Sequence, residues 1–312
     1  MKQIPVSSLS VSRLAYGCWR IAGTWDPSEV TPKSQAAGRK AVLAAYEAGF
    51  TFFDHADIYC HGETEMIFGK VLKEVPGMRE RVVIASKCGI RMAGVPKPDS
   101  AYRYDFSGDY IVQSCEQSLK RLGVETIDVY QLHRPDYLMD PGEVAEAFTR
   151  LRKAGKVREF GVSNFRPSQL TALQAACPMK LVVNQVEISL ANLGRFEDGT
   201  IDQCLAEHIT PMAWSPLAGG KLGDGATKIL PSQKAYRTRG VTTVLDRMAK
   251  AHGVSRTAVA LAWLLKHPSG IVPIVGSTDP EHIRAAARAA EIELSRDEWY
   301  RLLEAARGER LP

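Results

Sequence analysis

Short apolar runs and helical periodicities alternate along most of this chain. Residues 2–12 alternate apolar and polar positions around Ser7-Ser8, which predicts a short β-hairpin rather than a core strand. Eight brief apolar runs follow: Leu14 to Trp19, Thr51 to Phe53, Val82 to Ala85, Ile127 to Leu132, Val157 to Val162, Leu181 to Val186, Met212 to Trp214 and Ile271 to Val275. They are short and rich in β-branched residues, as strands buried on both faces of a parallel sheet should be. Helical spacing separates many of them. Ala41, Val42, Ala45 and Tyr46 line one face of residues 34–48, which Gly49 closes. Ile67, Val71 and Leu72 do the same for residues 63–73, and Ile111, Cys115, Leu119 and Leu122 for a helix from Asp109 to Gly123. Asp140-Pro141 supplies an N-cap and a first-turn proline to a helix that Gly155 ends. Residues 241–252, 255–266 and 295–306 read as three more helices. One stretch breaks the rhythm: Gly89 to Gly108, with Pro96, Pro98, Tyr102, Tyr104 and Phe106, is long and irregular.

Strands alternating with helices over this length predict an α/β chain built as a single closed (β/α)8 TIM barrel, preceded by the hairpin. An open doubly wound sheet is the rival architecture, but its glycine-rich GxGxxG loop does not follow the first run. No linker-like segment divides residues 1–312, so one barrel domain is expected. Composition adds limits. With 45% hydrophobic and 24% charged residues, the chain is an ordinary globular protein with material for a core. The net charge of +5 is scattered, so no nucleic-acid or membrane surface is expected, although an anionic ligand would be accommodated. Cys18, Cys60, Cys88, Cys115, Cys177 and Cys204 form no CxxC pair and read as free thiols of a reducing compartment. The first residues carry no signal-like apolar region and no run is long enough to span a bilayer, so a cytoplasmic location is expected.

The candidate chemistry lies where the apolar runs end. Asp54 ends one run with Tyr59 five residues on, Lys87 ends the next, and His133 the one after. Ser163-Asn164, Gln185 to Glu187, Ser215 and Gly276-Ser277 follow later runs. Barrel active sites form at these carboxyl ends, so the pattern implies a polar pocket. Singly, each residue has a plainer reading: Asp54 as a helix N-cap, Tyr59 as a packed ring, Lys87 as a solvated strand end.

Together the motifs resemble the aldo-keto reductase family, and in particular its bacterial YdhF-like oxidoreductases. The carriers are Gly49 through Tyr59, Ser86-Lys87-Cys88-Gly89, His133-Arg134-Pro135-Asp136, Gly155 through Arg158, Gly161 through Phe165, Asn184 through Glu187 and Trp214-Ser215-Pro216-Leu217, in family order over most of the chain. The resemblance implies an NAD(P)H-dependent reductase of aldehyde or ketone carbonyls. Tyr59 would be the general acid, Lys87 would lower its pKa, Asp54 would hold Lys87, and His133 would donate to the carbonyl oxygen. Ser163, Asn164 and Gln185 would bind the nicotinamide carboxamide, with Trp214 stacked on the ring. Ser215, Leu217, Gly219, Gly220 and Lys221 would cover the pyrophosphate. Gly276, Ser277 and His282 would meet the adenosine end, where His282 stands in place of the usual basic residue and Ala285-Ala286 replace an acid-amide pair. NADPH is the expected cofactor and NADH the alternative. Trp19, Trp25, Arg134 and the aromatics of the 89–108 loop are expected to wall the substrate pocket. Two other classes stay open: a nicotinamide-nucleotide-binding regulatory subunit on the same fold, and a metal-dependent hydrolase using His55, Asp57, His133 and Asp136. The sequence says nothing of oligomeric state.

Overall fold

The computed structural model describes residues 1–225 and 227–311. The chain begins with an antiparallel hairpin, β1 (Gln3–Val6) and β2 (Leu9–Ser12). Next come β3 (Ala15–Gly17), β4 (Phe52–Asp54) and β5 (Val83–Cys88). Within the long irregular stretch, β6 (Ile90–Arg91) and β7 (Arg103–Tyr104) pair as a small antiparallel flap. Then follow β8 (Ile127–Leu132), β9 (Val157–Ser163), β10 (Leu181–Glu187), β11 (Thr210–Trp214) and β12 (Val272–Val275). Strands β3, β4, β5, β8, β9, β10, β11 and β12 close into a parallel barrel in that order. The (β/α)8 expectation holds.

Alternation decides which side chains point inward, because successive residues of a strand face opposite ways. Ala15, Phe52, Val83, Ala85, Val129, Val183, Met212, Val272 and Ile274 fill the barrel interior. Stepping two residues further along each strand reaches Gly17, Asp54, Lys87, Gln131 and then His133, Gln185, Trp214 and Gly276. The inward side thus changes from apolar to polar at one height. The hairpin plugs the opposite end: Val6, Leu9 and Val11 join the interior cluster, and Ser8 Oγ donates to Glu159 Oε1 at 2.6 Å. Outward-facing strand residues such as Phe53, Ile84 and Tyr130 pack against the helices.

The expected helices are present, from Pro32–Glu47, capped by Thr31 and Ser34, to Arg296–Arg307, capped by Ser295 and Glu298. Pro167–Ala176, Thr200–Ala206 and the turn Met78–Arg81 were not signalled by periodicity. They are short, and Pro167–Ala176 buries only Leu170 and Leu173. Among the described residues no helix is long and apolar enough to cross a membrane.

Candidate active site

At the carboxyl ends of the strands Lys87, fully buried, sets its ammonium among four oxygens. It lies 2.8 and 2.7 Å from the two Asp54 carboxylate oxygens, 2.7 Å from the His55 carbonyl and 3.4 Å from the Tyr59 hydroxyl. The Gln185 amide donates to Asp54 Oδ1 at 2.8 Å. A buried charge is tolerable only when paired and hydrogen-bonded, and this one is both. Burial alone would drag the Lys87 ammonium down, but the Asp54 carboxylate and the Tyr59 hydroxyl more than offset it. Lys87 is therefore held above its ordinary value and stays charged.

Tyr59 behaves differently from the expectation. Burial pushes its phenol above the ordinary value; Lys87 pulls the other way without prevailing, and Asp54 adds to the rise. Burial is the largest influence, and the Asp54 carboxylate bound to Lys87 opposes the pull of the cation. Tyr59 therefore keeps its proton, with the Lys87 ammonium 3.4 Å from its hydroxyl. His133 stands beside it, ring centroids 6.0 Å apart. Burial, then the Lys87 and Arg134 cations, push His133 well below the imidazole range, so it is neutral. Its Nδ1 is buried without a partner among the described residues.

These groups open on a cavity of about 290 Å³ lined by Trp19, Trp25, Tyr59, Tyr102, His133, Arg134, Ser163, Asn164, Gln185 and Trp214. Trp25 packs edge-on to Tyr59 with centroids 6.1 Å apart, and Trp19 leans on Trp25 at 5.6 Å. Of the aromatics in the 89–108 stretch, only Tyr102 reaches the cavity. Phe106 is instead buried, stacked on Phe165 at 6.3 Å, and Tyr104 packs on Tyr102. The Asn164 amide is engaged on both ends: Oδ1 accepts from Trp214 Nε1 at 2.9 Å, and Nδ2 reaches the His133 carbonyl at 3.0 Å and Ser163 Oγ at 2.8 Å. This bracing fixes the Trp214 ring as a platform.

A second lobe of about 250 Å³ shares Trp19, Ser215, Ile274 and Gly276 with the first. Leu217, Gly219, Gly220, Ser277 and His282 line it, as the sequence led one to expect. So do Arg20, Lys228 and Thr257, which the sequence reading missed. Arg20 had a signal, since it directly follows Trp19 at a strand exit; Lys228 and Thr257 had none beyond the glycine-rich approach. Gly219 sits at φ +67°, and a Cβ there would meet the Lys228 carbonyl at 2.8 Å. Only glycine admits that approach. Asn164, Ser215 and Ala218 also adopt positive φ (63°, 49° and 49°), strain that concentrates at the mouth of the site.

Lys221 is the correction. Its ammonium does not line the lobe but binds the carbonyls of Gln233, Lys234 and Tyr236 at 2.9, 3.2 and 3.0 Å. Lys221 clips the 233–236 segment in place, and Gln233, buried, donates to Glu187 Oε1 at 2.7 Å beneath it.

The residues of the metal alternative are scattered. His55 is buried edge-on to Phe68 at 4.6 Å and held neutral, pushed down to about 3 by burial and then by Lys87. Asp57 turns to Ser114 Oγ at 2.8 Å and the Tyr110 hydroxyl at 3.3 Å. Asp136 accepts from the backbone N–H groups of Phe106 and Leu138. Among the described residues no group of three His, Cys, Asp or Glu is placed to hold a metal ion.

The closed parallel (β/α)8 barrel thus sets an Asp-Lys-Tyr-His cluster beside a two-lobed cleft. The chain belongs to the aldo/keto reductase family, whose profile matches residues 13–307. It is 42% identical to the 6-dehydroglucose reductase of Novosphingobium aromaticivorans, over 100% of this chain and 97% of that one. It is 39% identical to the oxidoreductase YdhF of Escherichia coli, over 96% and 95% of the two chains. Its fold matches an aldo/keto reductase from Klebsiella pneumoniae solved in complex with NADP and acetate. That match has a TM-score of 0.75 and 26% identity, over 94% of this chain and 90% of that one.

Proposed function

We propose that this protein reduces aldehyde or ketone carbonyls to alcohols, with NADPH as the reductant and Tyr59 as the proton donor. The observation that carries the reading is the Tyr59 hydroxyl, 3.4 Å from a buried ammonium and beside a neutral histidine, on the wall of an open cavity. NADPH, when bound, supplies the hydride. As negative charge develops on the carbonyl oxygen, Tyr59 gives up its proton to it. Lys87 then stabilises the phenolate, and Asp54 keeps Lys87 charged and aimed. His133 donates from its ring to the same oxygen and positions it.

The cleft fits a dinucleotide. Its two lobes join at Ser215 and Gly276, and Gly219 and Gly220 line the second of them. Ser163, Asn164 and Gln185 would hold the carboxamide, and Trp214 would pack on the nicotinamide. Ser215, Leu217, Gly219 and Gly220 would meet the pyrophosphate, and Gly276, Ser277 and His282 the adenosine end. Arg20 and Lys228 outnumber Asp279 on that lobe, which favours the additional phosphate of NADPH over NADH. The Klebsiella neighbour, solved with NADP, supports the same choice. The Novosphingobium relative's name makes 6-dehydroglucose a carbonyl compound to assay first.

The test is a fluorescence titration with NADPH and, separately, NADH, followed by a carbonyl screen with the tighter one. Saturable quenching with NADPH preferred, then turnover, is expected. Binding without turnover of any carbonyl would instead make the protein a nucleotide-binding regulatory subunit. Binding of neither nucleotide would end the reductase reading.

A further inference from the structure

Arg134 follows His133 at the exit of β8 and is half-buried in the wall of the 290 Å³ lobe. Its guanidinium carbon lies 5.6 Å from the centroid of the Trp214 ring, which Asn164 braces. Among the described residues no carboxylate, carbonyl or hydroxyl accepts from it, and this sets it apart. Two other arginines that are as well covered, Arg91 and Arg121, face Asp105 and Glu65 at 3.3 and 2.6 Å. The carboxylates near Arg134 are committed elsewhere. Asp54, the one acid lining the lobe, is held by Lys87 and Gln185. Asp136, two residues on, accepts from the backbone of Phe106 and Leu138. A guanidinium keeps its charge at any ordinary pH. The lobe therefore carries one positive charge without a counter-ion, and that charge helps keep His133 neutral.

We infer that Arg134 is a specificity-determining residue that receives a carboxylate of the substrate, so that oxo-acids are favoured over neutral carbonyl compounds. The inference rests on the reductase reading of the same cavity. Arg134 lies over Trp214, whereas Tyr59 sits between Trp25 and His133. Both residues line the same lobe, so one small molecule can present its carbonyl to Tyr59 and its carboxylate to Arg134. The planar fork of arginine matches a carboxylate through two parallel N–H donors, a match that lysine cannot make.

The experiment compares 4-oxobutanoate, its methyl ester and neutral glyceraldehyde as substrates, in wild type, Arg134→Met and Arg134→Lys. The readout is the acid-to-ester ratio of kcat/KM. Charge-assisted hydrogen bonds predict a ratio of about 10 to 100 in wild type, expressed mainly in KM and falling with added salt. In Arg134→Met the ratio should collapse towards one, and Arg134→Lys should recover part of it. Calorimetric titration of 4-oxobutanoate into NADP⁺-loaded protein should weaken in the same order. The inference is overturned if wild type takes the ester or glyceraldehyde as well as the acid, or if the ratio survives Arg134→Met. Turnover of 6-dehydroglucose but of none of the three would overturn the inference alone, whereas turnover of no carbonyl by NADPH-saturated protein would remove the reductase reading, and the inference with it.

Discussion

At the scale of residues, the site works by placing one charge pair where water cannot reach it. Lys87 is fully buried, and Asp54 takes two of its contacts. Replacing Lys87 by Met leaves Asp54 buried with only Gln185 as a side-chain partner, which should cost about 3–5 kcal/mol of stability. Urea unfolding would register it as a lower midpoint with an unchanged slope, and a midpoint at the wild-type value would contradict the pairing. Asp57 makes a second, subtler prediction. Burial pushes its carboxyl up to about 7, against Ser114 and Tyr110 which hold it down. Between its unfolded and folded pKa the native state keeps a proton that the unfolded chain has released. That contribution to stability is full below the unfolded value and is lost as pH rises through about 7. Asp57→Asn removes the titration while keeping an acceptor for both hydroxyls. The variant should therefore gain stability relative to wild type on going from about pH 5 to about pH 8, and unfolding of both proteins at each pH would show it. An equal pH dependence in both would contradict it.

At the scale of elements, the apolar runs were legible because buried parallel strands are short, β-branched and bounded by polar exits. The strands fall within a residue or two of the expected runs in most cases; β5 runs on to Cys88 because its inward face simply turns from apolar to Lys87. Pro167–Ala176 and Thr200–Ala206 were illegible because ten and seven residues are too short to repeat a helical period clearly. The closeness of β9 to β10 was equally hidden. A Cβ on Gly161 would meet Val183 Cγ2 at 2.3 Å and the Val183 carbonyl at 2.8 Å. Gly161→Ala should therefore cost about 1–3 kcal/mol despite adding a single methyl group. A thermal midpoint unchanged by the substitution would mean that the strands can part without penalty. The last helix is held by a reciprocal pair: Trp263 and Trp299 stack at 5.0 Å, and each indole N–H donates to the other's carbonyl. Trp299→Ala should cost about 3 kcal/mol and increase amide exchange throughout residues 296–307, which mass spectrometry would resolve. Protection as in wild type would show the helix docked by other contacts.

At the scale of the whole molecule, the barrel brings residues 79 positions apart, from Asp54 to His133, to one rim. The sequence could point to that rim because alternation and strand ends are local rules that the barrel repeats. It could not say which way a long flexible side chain turns. Lys221 lies in the expected glycine-rich loop yet binds the carbonyls of the 233–236 segment, and Phe106 lies in the expected aromatic loop yet is buried. Neither outcome follows from spacing; both depend on contacts from distant parts of the chain. The same holds for Lys228, whose carbonyl accepts from Arg20 Nη2 at 3.2 Å.

The proposed role of Tyr59 is that of proton donor, with the proposed nucleotide contacts falling on other residues. Its most direct test is to measure turnover and NADPH affinity side by side in wild type and Tyr59→Phe. A fall in kcat of about 10²–10⁴-fold is expected with the NADPH Kd nearly unchanged, because the phenyl ring keeps the packing and loses only the acid. Turnover at the wild-type rate by Tyr59→Phe would contradict it.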